Sequence, residues 1–184
     1  MTTTKKFWYY AFTLVGATFM LFSNCKKDND DNDNNNNKIP DAVFSMNVSG
    51  AESHTFNFTL PGNVASANAV SGSHQSSLNM LTMLATNLPI TWQYSLVADV
   101  SSMAKGTYDL KPGLSAFSPP SQTTGYLAVS GSVEITKATL YQNVSNVEDW
   151  FIDGSFSGTY QDSNTPPNTI TVSGSFSGVN IKAQ

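Results

Sequence analysis

The chain has 184 residues, a net charge of −4, nine basic residues that are all lysine, and a single cysteine. An acidic chain without arginine cannot lay out the cationic footprint that a phosphate backbone requires, which excludes nucleic acid as a partner. One cysteine excludes an internal disulfide, so the fold must rest on its hydrophobic core.

The first element is a signal. Lys5 and Lys6 precede a sixteen-residue run from Phe7 to Phe22 that is apolar or small throughout. As a helix it would extend about 24 Å at ~1.5 Å per residue, short of the roughly 30 Å hydrocarbon core. Lys26 and Lys27 follow it, so lysine asymmetry does not orient a permanent span. A positive start and a short apolar run are the marks of an export signal. Ser23-Asn24-Cys25 closes it. This arrangement resembles a bacterial lipoprotein lipobox, with Asn24 where the usual pattern has a small residue, a looser form similar to that of bacteroidete lipoproteins. The resemblance implies that residues 1–24 are removed and that Cys25 is acylated. Each buried methylene contributes ~0.8 kcal/mol, and two or more acyl chains hold a protein stably on its membrane. The implied location is the outer membrane, with the chain anchored by lipid and facing the cell surface.

Residues 25–38 read as a tether. After Cys25 the segment has no apolar side chain before Ile39, and such a composition cannot offset its ordering entropy. Asp28, Asp30 and Asn32 take the first, third and fifth positions of an EF-hand loop, but Asp33 stands where glycine is needed and Ile39 where the bidentate glutamate is needed. No calcium site is expected there.

Residues 39–184 form the expected single domain, large enough to bury roughly two-thirds of its unfolded surface. Its basic residues are only Lys105, Lys111, Lys137 and Lys182. Period-two alternation runs through it. Phe56, Phe58 and Leu60 share one face, as do Ile90, Trp92, Tyr94 and Leu96, and Val133 with Ile135. Pro61-Gly62, Lys111-Pro-Gly113, Pro119-Pro120 and Pro166-Pro167 punctuate the strands. The segment Leu78–Leu84 fits a helical turn as well as a strand, and its neighbours favour strand. The expected fold is all-β, an antiparallel β-sandwich of about ten short strands, with a closed lipocalin-like β-barrel as the alternative.

Near the end Gly154-Ser-Phe-Ser-Gly158 recurs as Gly174-Ser-Phe-Ser-Gly178. The two copies lie on strands that should form an antiparallel hairpin. Pairing Tyr160 with Ile170 sets Phe156 opposite Gly174 and Phe176 opposite Gly154, so each ring covers a glycine. A two-residue slip would keep the faces and destroy both pairs.

Gly106-Thr-Tyr-Asp-Leu110, Gly131-Ser-Val-Glu-Ile-Thr-Lys137, Asp153-Gly-Ser-Phe-Ser-Gly158 and Ile170-Thr-Val-Ser-Gly-Ser-Phe176 follow in order. This run resembles a group of small bacteroidete outer-membrane lipoproteins of uncharacterised function. The resemblance covers roughly residues 100–181 and the signal. It implies an all-β fold at the cell envelope and supplies no catalytic residues.

Chemistry is sparse. His54 and His74 are the only histidines, and no metal-ligating spacing joins them to each other or to a cysteine. His54 lies on the apolar side of its strand. The segments Gly-Ser-Phe-Ser-Gly have phenylalanine where a nucleophile elbow needs serine, and Ser73, Ser76 and Ser77 beside His74 reflect serine density. Glu148, Asp149 and Asp153 cluster around Trp150, but alternation puts Asp149 and Asp153 on the face opposite the indole. Neither catalytic residue nor metal nor cofactor is expected. The aromatic residues give the better lead. Trp92, Phe117 and Trp150 are the candidates for stacking on a sugar ring, with Phe117, in the Ser115–Gln122 loop, expected to be the most exposed. The leading expectation is a non-enzymatic, lipid-anchored interaction or structural module. A glycan-binding accessory protein is the second, and a glycoside hydrolase or pilin-like subunit is weaker. The expected partners are a membrane, a glycan or an envelope protein.

Overall fold

Period-two alternation becomes main-chain ladder nearly everywhere the sequence carries it. The computed structural model describes residues 38–87, 90–120 and 125–184. The signal, Cys25, and the tether up to residue 37 lie outside the described residues. The strands are β1 (Ala42–Gly50), β2 (His54–Leu60), β3 (Asn68–Gln75), β4 (Met80–Asn87), β5 (Gln93–Asp99), β6 (Gly106–Asp109), β7 (Ala116–Ser118), β8 (Tyr126–Val144), β9 (Val147–Gln161) and β10 (Thr169–Ala183). The protein is all-β. The ambiguous Leu78–Leu84 segment is mostly strand β4, entered through a 3₁₀ turn, Ser76–Leu78.

The expected sandwich is corrected by the ladder, which closes on itself. Strand β10 pairs with β9 along one edge, β9 with β8, β8 with β7, β7 with β5, β5 with β4, β4 with β3, and β3 returns to β10. The closed-barrel alternative fits this ring of strands better. An odd number of strands cannot alternate in direction all the way round, and the one parallel contact is β10 with β3. The strands are also not uniformly short, since β8 spans 19 residues and β9 and β10 span 15 each.

The barrel closes where β10 exchanges partners. Up to Ser177 its outer edge carries β1, which carries β2; from Ile181 onward it carries β3. A bulge between Phe176 and Val179 marks the exchange. Gly178 sits there at φ 62, a backbone conformation that favours glycine. Asp153 fixes the bulge by accepting hydrogen bonds from the Gly178 N–H at 2.7 Å and the Ser177 hydroxyl at 2.9 Å.

The repeated Gly-Ser-Phe-Ser-Gly segments pair in the expected register, with Ile170 opposite Tyr160, Gly174 opposite Phe156, and Phe176 opposite Gly154. A methyl group built on Gly174 would lie 2.5 Å from the Phe156 ring, and one on Gly154 would lie 2.7 Å from the Phe176 ring. Strands β8 and β9 meet in a two-residue turn, Ser145-Asn146, with φ of 53° and 66°, the twist-matching geometry of tight hairpins.

Aromatic rings fill the interior. Phe156 stacks on Tyr94 (4.9 Å between centroids), Phe44 (5.8 Å) and Phe176 (6.4 Å), and Phe44 stacks on Phe58 (5.3 Å). The hydroxyls of Tyr94 and Tyr160 lie 3.0 Å apart among them. The β1–β2 hairpin is held by hydrogen bonds to β10 on one side and by ring packing on the other, where Phe56 meets Trp92 at 4.3 Å and Phe117 at 6.1 Å. Each fully buried large apolar side chain contributes ~1.5–3 kcal/mol, and among the described residues these side chains fill the inner positions of the strands.

Candidate functional surface

With the inner positions of the strands taken by apolar side chains, polar chemistry is left to the outer ones. In the middle of β6, β8, β9, β10, β1 and β2 those outer positions are occupied mostly by Ser, Thr and Asn. The strand register then aligns them into rows. One row runs Asp109, Ser132, Ser157, Ser173, Asn47, Thr55. The next runs Thr107, Glu134, Ser155, Ser175, Ser45, Asn57. A shorter row carries Ser130, Thr159, Thr171 and Ser49. Members of a row stand about 4.8 Å apart, one strand spacing. All are exposed or half-buried. Asp109 and Glu134 are the only charged members, and both lie at the β6–β8 end.

A shallow recess of about 200 Å³ interrupts this lattice, lined by Thr107, Ser132, Glu134, Ser155 and Ser157 with Phe156. It lies over the stretch of β8 between two bulges, Ala128/Ser130 and Ile135/Lys137. Bulges bend a strand and re-aim its side chains. The result is one exposed carboxylate among four hydroxyls.

The aromatic residues singled out by sequence lie elsewhere. Trp92 is 6% exposed and Phe117 is fully buried, which corrects the expectation of an exposed Phe117. It belongs to β7, and its ring lies within about 6 Å of both His54 and Phe56. Trp92 and Phe117 come together through Phe56, whereas Trp150 lies at the opposite end, beside the β8–β9 turn. Trp150 is half-buried, and its indole N–H donates to Glu148 at 2.9 Å. Glu148 lines a second groove of about 290 Å³ with Ser76, Asn143, Asn146, Ala183 and Gln184. Cys25 lies outside the described residues.

The three clustered carboxylates do not converge. Glu148 accepts from Trp150 and Asn143, Asp149 from Lys182 at 3.1 Å and from Gln142, and Asp153 holds the β10 bulge. Each is held by local partners, and no pair faces a common cavity.

At the other end of the barrel a cluster forms that sequence spacing did not reveal. Glu52 lies 3.0 Å from Nε2 of His54 and near the Tyr126 hydroxyl. Burial pushes the Tyr126 phenol up, and the negative charges of Glu52 and Asp162 push it further. Asp162 accepts from the backbone N–H and side-chain amide of both Asn164 and Asn168, at 2.6–3.0 Å. Desolvation pushes its carboxyl up, but these hydrogen bonds outweigh it and hold the group below its usual 3.8. The cluster brings the negative charges of the β1–β2 turn and the β9–β10 loop near the start of β8, and Asp162 itself holds the β9–β10 loop in shape. His74 is buried, with Nε2 2.9 Å from the Val100 carbonyl. Among the described residues no three or more His, Cys, Asp or Glu side chains are grouped so as to hold a metal ion.

No protein-family model matches the chain, and comparison with curated proteins and with solved structures gave no match. What the protein does must therefore be argued from its own residues.

Proposed function

We propose that this protein is a lipid-anchored module of the cell envelope that works by contact and carries out no catalysis. The observation that carries the reading is the division of chemistry in the barrel. The interior is solid aromatic and aliphatic packing, and the polar groups that could meet a partner form a broad outer lattice. An enzyme or an internal carrier would need a cavity with convergent polar groups, whereas the clustered carboxylates Glu148, Asp149 and Asp153 are each engaged by local partners. The anchor reading rests on the Lys5-Lys6 start, the Phe7–Phe22 run and Cys25, and with it goes the proposed location, the outer membrane, facing the cell surface.

Two experiments test this. Membrane fractionation of the full chain and its Cys25→Ala variant, with the mass of the N-terminal peptide, tests the anchor. The expected result is acyl mass on Cys25 and release of the variant; a membrane-bound, unmodified variant would refute it. A photo-reactive amino acid at Ser175, compared with one at Thr82 on β4, tests the surface in intact cells. Adducts from position 175 and none from 82 are expected, and equal yields or none from both would remove the contact reading.

A further inference from the structure

We propose that the outer lattice binds an uncharged polysaccharide. This rests on the contact reading above and names its partner. The rows centred on Ser157, Ser173, Ser155 and Ser175 present hydroxyls and amides, each of which donates and accepts. A polyol chain offers the same chemistry in return. The chain is poor in charge throughout, 12% of its residues, and these rows hold only Asp109 and Glu134, both at one end. That near-neutrality selects against charged partners. A polyanion would meet only acids in these rows, and a polycation would find its counter-charge at one end alone. A protein partner needs an apolar or aromatic patch at the centre of its interface. The three rows themselves have none; the exposed apolar side chains beside them are single valines, Val43 next to Ser177 and Thr59 and Val129 next to Ser130, too far apart to form such a patch.

The recess adds the one directional group. The Glu134 carboxylate, exposed between Thr107, Ser132, Ser155 and Ser157, can accept charge-assisted hydrogen bonds from neighbouring hydroxyls of a single sugar unit. The rest of the lattice would make weak, repeated contacts, so affinity should grow with the length of the glycan.

Affinity electrophoresis and titration calorimetry of the full-length lipoprotein in detergent test this. The probes are a neutral β-glucan, a mannan and a dextran, each also as oligomers of increasing length, with alginate as the polyanionic control. Binding to at least one neutral polymer is expected, stronger for longer oligomers and absent for alginate. Ser157→Lys and Ser175→Lys, both outward-facing and exposed, should weaken it roughly tenfold or more by breaking the multivalent contact. Glu134→Gln should weaken it severalfold at every length. Thr82→Lys on the β4 wall and Asn143→Lys in the groove near Trp150 should leave it unchanged, with circular dichroism confirming that all variants fold. Failure of every neutral polymer to bind, binding untouched by the two serine changes, binding lost with Asn143→Lys, or binding to alginate alone would each overturn the proposal. Crosslinking from position 175 alone, without glycan binding, would leave the contact reading standing and remove only the sugar.

Discussion

Single residues hold this barrel in register, and the glycines opposite the rings show how. At Gly154 a methyl group would lie 2.1 Å from the Glu134 carbonyl oxygen and 2.7 Å from the Phe176 ring. Gly154→Ala should therefore cost about 1–3 kcal/mol, or somewhat more, in chemical denaturation. Because the nearer clash is with backbone, adding Phe176→Leu should not recover the loss; full recovery would mean that the ring alone sets the constraint. Asp162 acts at the same scale, through charge. Its folded carboxyl titrates below the unfolded value of about 3.8. The stability it contributes is therefore complete above that value and lost as pH falls through the lower, folded one. Thermal melts of the wild-type protein should fall in this acid window. Asp162→Asn should be less stable at neutral pH and should show a flatter decline, whereas parallel curves would detach the loop from this titration.

At the scale of elements, the β9–β10 hairpin was legible in the sequence because two local codes agreed. Alternation set the faces, and the complementarity of Phe156 with Gly174 and of Phe176 with Gly154 chose among registers. Barrel closure was not legible, because it depends on β10 changing partners at a bulge and on a parallel contact with residues about a hundred positions away. The inward turn of Phe117 is hidden from the sequence for a related reason. Its neighbours are Ser and Pro, which read as a loop, but a three-residue strand with partners on β5 and β8 turns the ring inward. The lattice, too, was present only as unaligned halves, since each strand shows its Ser and Thr but only the register makes rows of them. The far half of β8 carries a further consequence. From Lys137 to Val144 it pairs with β9 alone among the described residues, and Leu140 and Val144 are exposed there. Lys137 and the bulges at Ile135/Lys137 and Leu140/Gln142 are the devices that keep open edges from pairing with other chains. Lys137→Val should therefore produce concentration-dependent association in light scattering, and a strictly monomeric variant would show that the bulges suffice.

At the scale of the whole molecule, a solid barrel must bury the polar tips of its aromatic core in pairs. Tyr94 and Tyr160 meet hydroxyl to hydroxyl at 3.0 Å, with both side chains almost wholly inaccessible. Burial pushes both phenols well above the ordinary 10.0, because an ionised phenolate would have no solvation there. In the unfolded chain both ionise near that ordinary value. The stabilisation is thus fully present below pH 10 and is lost as pH rises from there toward the folded values. Ultraviolet titration of residues 38–184 should resolve exposed tyrosines that ionise reversibly and a buried pair that ionises only as the fold is lost. Substitutions separate the hydrogen bond from the burial. Tyr94→Phe leaves the Tyr160 hydroxyl buried without its partner and should cost about 1–3 kcal/mol, whereas replacing both with Phe removes donor and acceptor together and should cost much less than two such losses. Urea denaturation of the single and double variants closes that cycle. Strict additivity would mean that the hydroxyls do not act as a pair and that the barrel centre is held by ring packing alone.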